Sequence, residues 1–141
     1  MRRRIMLRLF LVCVLSLAAD PRGALAQDAA AAEAAATQWL AHVDAGRYGD
    51  SWIDAAAFFK QAVTQEKWQE AVKQARGRVG NLKTRTKASA APQSNPPGAP
   101  PGEYVVIQYS SVFELHPTAR EMVTAVREAD GTWRIVGYFV Q

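Results

Sequence analysis

The sequence predicts an α+β fold, and three observations carry that reading. Apolar residues recur at helical spacing through the first half of this 141-residue chain, and apolar and polar residues alternate through much of the second half. A run rich in proline and glycine at 94–102 interrupts the alternating half and reads as an extended loop, because proline cannot sit in a central strand. Helices first and consecutive antiparallel strands after them is the α+β order.

The elements follow one by one. Ala36, Trp39, Leu40 and Val43 mark one face of a first helix, preceded by the alanine-rich 27–36 and stopped at Gly46. Asp50 or Ser51 is placed to cap a second helix with Trp52, Ala55, Ala56, Phe59 and Val63 on one side. Thr64 is placed to cap a third, with Glu66 in its first turn and Trp68, Ala71, Val72 and Ala75 repeating the pattern. Gly77 and Gly80 end the helical half. Strands are expected at 79–90, 104–113, 120–128 and 132–140. Val105, Ile107, Tyr109 and Phe113 share a face of the second, and Asp130-Gly131 forms the last hairpin turn. Simple alternation in the last strand puts Trp133, Ile135 and Phe139 on one face and Val136, Tyr138 and Val140 on the other. With both faces apolar, that strand is expected at the centre of the sheet. All four tryptophans are expected in the core.

Residues 1–26 read as a secretory signal peptide. Arg2, Arg3, Arg4 and Arg8 give a basic start, an apolar run follows, and Ala24-Leu25-Ala26 offers a cleavage site before Gln27. The apolar stretch is shorter than the ~20 residues that span a bilayer. Cleavage removes five of the 17 basic residues and one of the 13 acidic ones, leaving twelve of each in a neutral mature chain at 27–141. The formal charge of +4 is therefore no argument for nucleic acid. Cys13, the only cysteine, leaves with the signal, so the mature chain has no disulfide and no cysteine metal ligand. Export without a disulfide fits a periplasmic or secreted protein without an anchor after cleavage.

The segments Trp39-Leu40-Ala41-His42-Val43-Asp44-Ala45-Gly46, Tyr48 with Ser51-Trp52, Ala62-Val63-Thr64 with Trp68, Pro97-Gly98-Ala99-Pro100 before Gly102-Glu103-Tyr104-Val105-Val106, and Trp133-Arg134-Ile135-Val136-Gly137-Tyr138-Phe139 together resemble DUF4019, a bacterial exported family of unknown function. The resemblance covers nearly all of 27–141 and implies a cystatin-like or NTF2-like cone, with helices packed on a curved antiparallel sheet of about four strands. It implies no catalytic residues.

Candidate functional residues fall into three groups. Trp39, Tyr48, Trp52, Phe59 and Trp68, with Phe58, are the candidate pocket, since indole rings line apolar ligand sites well; the same spacing also suits rings that simply fill the core. Lys83, Arg85 and Lys87 alternate and are expected to share an exposed strand face, a candidate interaction surface or a guard on a sheet edge. Asp44, Asp50 and Asp54 are weighed as bases and His42 and His116 as ligands. Capping, helix-end and surface roles suit them better, and no metal or cofactor site is expected. No serine-hydrolase elbow is present, and Gly77-Arg78-Val79-Gly80 is no phosphate loop. These readings point to a non-enzymatic binding or interaction module. Its partner would be an envelope protein, a cell-wall component or a small apolar ligand. A small-molecule enzyme of the NTF2-like kind, or an accessory part of an envelope assembly, is the alternative.

Overall fold

In order, the elements are α1 (Pro21–Asp44), α2 (Tyr48–Ile53), α3 (Ala57–Ala62), α4 (Gln65–Val79), β1 (Leu82–Ser94), β2 (Glu103–Phe113), β3 (Ala119–Arg127) and β4 (Trp133–Val140). They come from a computed structural model that describes residues 21–141. The predicted signal segment up to residue 20, with Cys13, lies outside the described residues; α1 begins at Pro21, ahead of Gln27. Among the described residues no helix is long and apolar enough to cross a membrane.

The first helix buries the stripe its spacing prescribes: Ala32, Ala36, Trp39, Leu40 and Val43. Gly46 ends it at φ +72°, a conformation that favours glycine, with its N–H donating to the Val43 carbonyl at 3.1 Å. The single second helix of the sequence reading is two short ones. Ala55 and Ala56 leave the helical path and are buried, and the Ala56 N–H donates to the Ile135 carbonyl at 2.8 Å. A bond to the sheet thus replaces a helical one. Asp50 and Ser51 lie inside α2 and do not cap it. Thr64 does cap α4, its side chain accepting from the Lys67 N–H at 3.4 Å. In α4, Trp68 and Val72 are buried as expected, Ala71 is exposed, and Arg76 is buried. The helix runs through Gly77 and stops at Gly80, φ +78°. A Cβ there would also press on Glu114 and Leu115 at 3.1–3.2 Å.

The strands form one antiparallel sheet in the order β1-β2-β3-β4, which does not close into a barrel. The core lies between the helices and one face of this sheet, where Val105, Ile107, Tyr109, Val123, Ala125 and Ile135 meet the α1 stripe and α4. The last strand is at an edge, not at the centre as expected. Its pairing with β3 slips between Thr124 and Ala125, so that Thr124 faces Gly137 and Ala125 faces Ile135. This bulge sits at a glycine and reverses the alternation. Ile135, Tyr138 and Val140 therefore share the helix-facing side, and Phe139 points outward, 64% exposed. Two apolar faces here reflect a bulged strand, not a strand covered on both sides. The 95–102 loop is held closed by the Asn95 N–H on the Gly102 carbonyl and the Tyr104 hydroxyl on the Pro100 carbonyl, both 2.8 Å.

Trp39 and Trp68 are buried, whereas Trp52 and Trp133 are only half-buried and pack against the core from outside. Urea unfolding of Trp39→Ala is expected to show a loss of about 3–5 kcal/mol, the usual cost of emptying a large aromatic site. Trp133→Ala is expected to cost clearly less; equal losses would contradict this ordering of burial.

Candidate functional site

Four charged or hydroxylic side chains meet between the helices and the sheet, and each arrives from a different element. Arg76 is on the inner face of α4, Arg85 on β1, Ser111 on β2 and Glu121 on β3. Asp44 joins them from the last turn of α1, and Tyr138 from β4 beyond its bulge. The pairing sets their height on the sheet, because Arg85 lies opposite Ser111 across β1 and β2.

Glu121 is the centre. Its side chain has no exposed surface, and its carboxylate accepts four hydrogen bonds. Oε2 accepts from Arg85 Nε at 2.6 Å and Ser111 Oγ at 2.5 Å; Oε1 accepts from Arg85 Nη2 at 2.9 Å and the Tyr138 hydroxyl at 2.7 Å. The other edge of the same guanidinium donates to Asp44 at 2.7 and 3.0 Å. Arg76 Nη1 closes the ring, donating to Asp44 at 2.9 Å and standing 3.8 Å from Glu121. Arg76 also lies over the Phe113 ring at 4.7 Å. Two arginines balance two carboxylates, which is what permits their burial.

This arrangement shifts the groups in opposite directions. Burial alone pushes the Asp44 carboxyl up, but the hydrogen bonds and charges of Arg85 and then Arg76 outweigh it and hold the carboxyl below its ordinary value. Burial, and then the charge and hydrogen bond of Glu121, push the Tyr138 hydroxyl up, so it stays a donor at neutral pH. Arg85 is held charged: burial opposes its charge, and its two carboxylate partners overcome that. Each carboxylate is thus held by guanidinium groups, and the cluster's chemistry is to lock α1, α4 and the sheet together.

The five aromatic candidates belong to or pack against the larger of two core clusters. Trp39 and Trp68 lie 5.8 Å apart, and Phe59 meets Trp68 edge-on at 5.1 Å. Ser51, fully buried, ties them: its carbonyl accepts from Trp39 Nε1 at 2.7 Å and its hydroxyl from Trp68 Nε1 at 2.9 Å. Trp52 Nε1 donates to the Val63 carbonyl at 2.8 Å. The three indoles thus spend their N–H groups on the protein itself, while Tyr48 stands on the rim of a surface groove of about 390 Å³ with Asp44, Lys73 and Arg76.

The basic strand needs correction as a single exposed face. A bulge between Leu82 and Thr84 takes Lys83 out of the alternation, and Arg85 turns inward with 13% of its side chain exposed. Lys87 is half-exposed and bonds Glu33 of α1 at 2.7 Å. His42 Nε2 stands 2.9 Å from Asp54, while the buried Nδ1 has no partner. Asp50 faces Arg47 at 3.7 Å, and His116 serves by its carbonyl, which accepts from the Phe113 N–H at 3.1 Å. Among the described residues no three His, Cys, Asp or Glu side chains gather where they could hold a metal ion.

Sequence reading missed Arg76, Glu121, Ser111 and Tyr138 as a group. The available signals were Glu121 and Ser111 on the inward phase of strands whose other inward residues are apolar, and Gly137 as a bulge marker just before Tyr138.

These features define an α+β protein with helices on one face of an open four-stranded sheet and a neutral ring of charges, centred on buried Glu121, between them. The chain belongs to the DUF4019 family, described as a protein of unknown function, whose model matches residues 35–138. No curated protein matches it.

Glu121→Gln is expected to cost about 3–5 kcal/mol by urea titration, because Arg85 then keeps only part of its compensation. Replacing both partners, Arg85→Met with Glu121→Leu, is expected to recover much of that loss. For pH, Asp44 has its native value below its unfolded one, so its contribution is present above about pH 4 and is lost as pH falls through the depressed value. Asp44→Asn is expected to flatten the acid limb of the stability curve; an unchanged limb would remove Asp44 from this role.

Proposed function

We propose that this protein is an exported, non-enzymatic binding or interaction module that works through its surface. The observation that supports this reading is the saturated ring. Buried Glu121 and its neighbour Asp44 are engaged by Arg85, Arg76, Ser111 and Tyr138, and Trp39 packs on Trp68. A general base needs a lone pair aimed at substrate, and here those lone pairs are spent. Export rests on the basic start, the apolar run and the Ala24-Leu25-Ala26 site. For an anionic envelope partner, Lys83 and Lys87 are the residues that reach solvent, and Arg85 serves the interior.

The amphiphilic dye 1-anilinonaphthalene-8-sulfonate, added to the native purified protein, separates this reading from a ligand cavity or a small-molecule enzyme. Surface action predicts no saturable quenching of tryptophan emission. A stoichiometric site that quenches Trp39 would overturn it. Export is checked separately by fractionating a bacterial host and weighing the product. A soluble envelope protein starting at Gln27 is expected, and retained residues 1–26 or a lipid on Cys13 would refute it.

A further inference from the structure

The two edges of the sheet are built differently. The β1 edge carries Lys83, Lys87 and Pro92 and two register shifts, all features that discourage another strand from adding. The β4 edge carries no charged residue from Ile135 to Gln141. Arg120 and Gln141 exchange both backbone hydrogen bonds, at 2.7 and 3.0 Å. By antiparallel alternation Phe139 and Gly137 then turn their backbone groups toward β3, and Tyr138 and Val140 turn theirs away from the sheet. Beyond the bulge the outward carbonyl is that of Ile135, and it is already taken by the Ala56 N–H. The open stretch of edge therefore centres on Tyr138, Phe139 and Val140.

We propose that a second copy of this chain adds along β4, antiparallel, on a two-fold axis at Phe139. That register sets Tyr138 of each copy opposite Val140 of the other, so the outward N–H and C=O groups of both strands are satisfied by the same operation. It also sets the two Phe139 rings side by side on the outer face, next to Met122, which lies opposite Phe139 on β3 and is 41% exposed. A foreign strand would satisfy the backbone, but the two-fold also covers the most exposed aromatic ring of the described residues with its own copy. A mostly apolar groove of about 270 Å³ runs between α4 and this edge, lined by Trp68, Ala71, Ala75, Tyr138 and Val140, with Arg78 as its one charged residue. This inference stands independently of the surface-module reading.

Sedimentation velocity of the purified protein over a concentration series tests it. A reversible dimer is expected, and a monomer at every concentration up to about 1 mM, where binding is negligible, would overturn it. Phe139→Lys is expected to weaken association by on the order of a hundredfold, since like charges then face each other across the two-fold, with an unchanged thermal melt. A dimer of parental strength in that variant would place the interface elsewhere. In a Cys13→Ser background, Phe139→Cys is expected to oxidise to a covalent dimer, because directly opposed residues in such a pair have Cα atoms roughly 4.5 Å apart, within disulfide range. Thr86→Cys on the guarded edge is the control, and equal cross-linking there would also count against the proposal.

Discussion

The pairing of Glu121 with Arg85 is the constraint around which the rest of the molecule is arranged. A carboxylate with no exposed surface is tolerated only where its charge is compensated and its lone pairs are filled. Here one guanidinium does both, with one edge on Glu121 and the other on Asp44. β1, β3 and the end of α1 are thereby held at one relative height. Ser111 and Tyr138 fill the remaining acceptor sites from β2 and β4, and Arg76 adds α4. A slip of one residue in any of these strands would send a charged or hydroxyl partner to the opposite face. The ring therefore specifies register as well as joining the layers.

The bulges follow from the same requirement. At Lys83 and at Gly137 the strands depart from simple alternation, and in the second case the departure delivers Tyr138 to Glu121. It also turns Phe139 to solvent. The exposed ring on the outer face and the satisfied carboxylate on the inner one are thus two consequences of one backbone irregularity.

A second knot lies among the helices. Ser51 has neither charge nor bulk, yet two tryptophans from α1 and α4 direct their N–H groups to it. This fixes Trp39 on the Ser51 carbonyl and Trp68 on its hydroxyl, and brings Trp39 against Trp68 and Tyr138. By these bonds Trp39 and Trp68 become part of the packed interior, while Tyr48, Trp52 and Phe59 pack against it half-buried.

The sequence by itself determined the order of helices and strands, the buried stripe of α1, the Thr64 cap, the inward residues of β2 and membership of the DUF4019 family. These depend on spacing and on side chains acting within a few residues of themselves. Tertiary structure decided the break between α2 and α3, the edge position of β4, the inward turn of Arg85 and the ring around Glu121. Each of these is settled by a partner distant in the chain: Ile135 for Ala56, Asp44 and Glu121 for Arg85, Thr124 for Gly137. Local periodicity cannot register such partners, because the free energy that selects them arises only when separate elements are brought together and water is excluded between them.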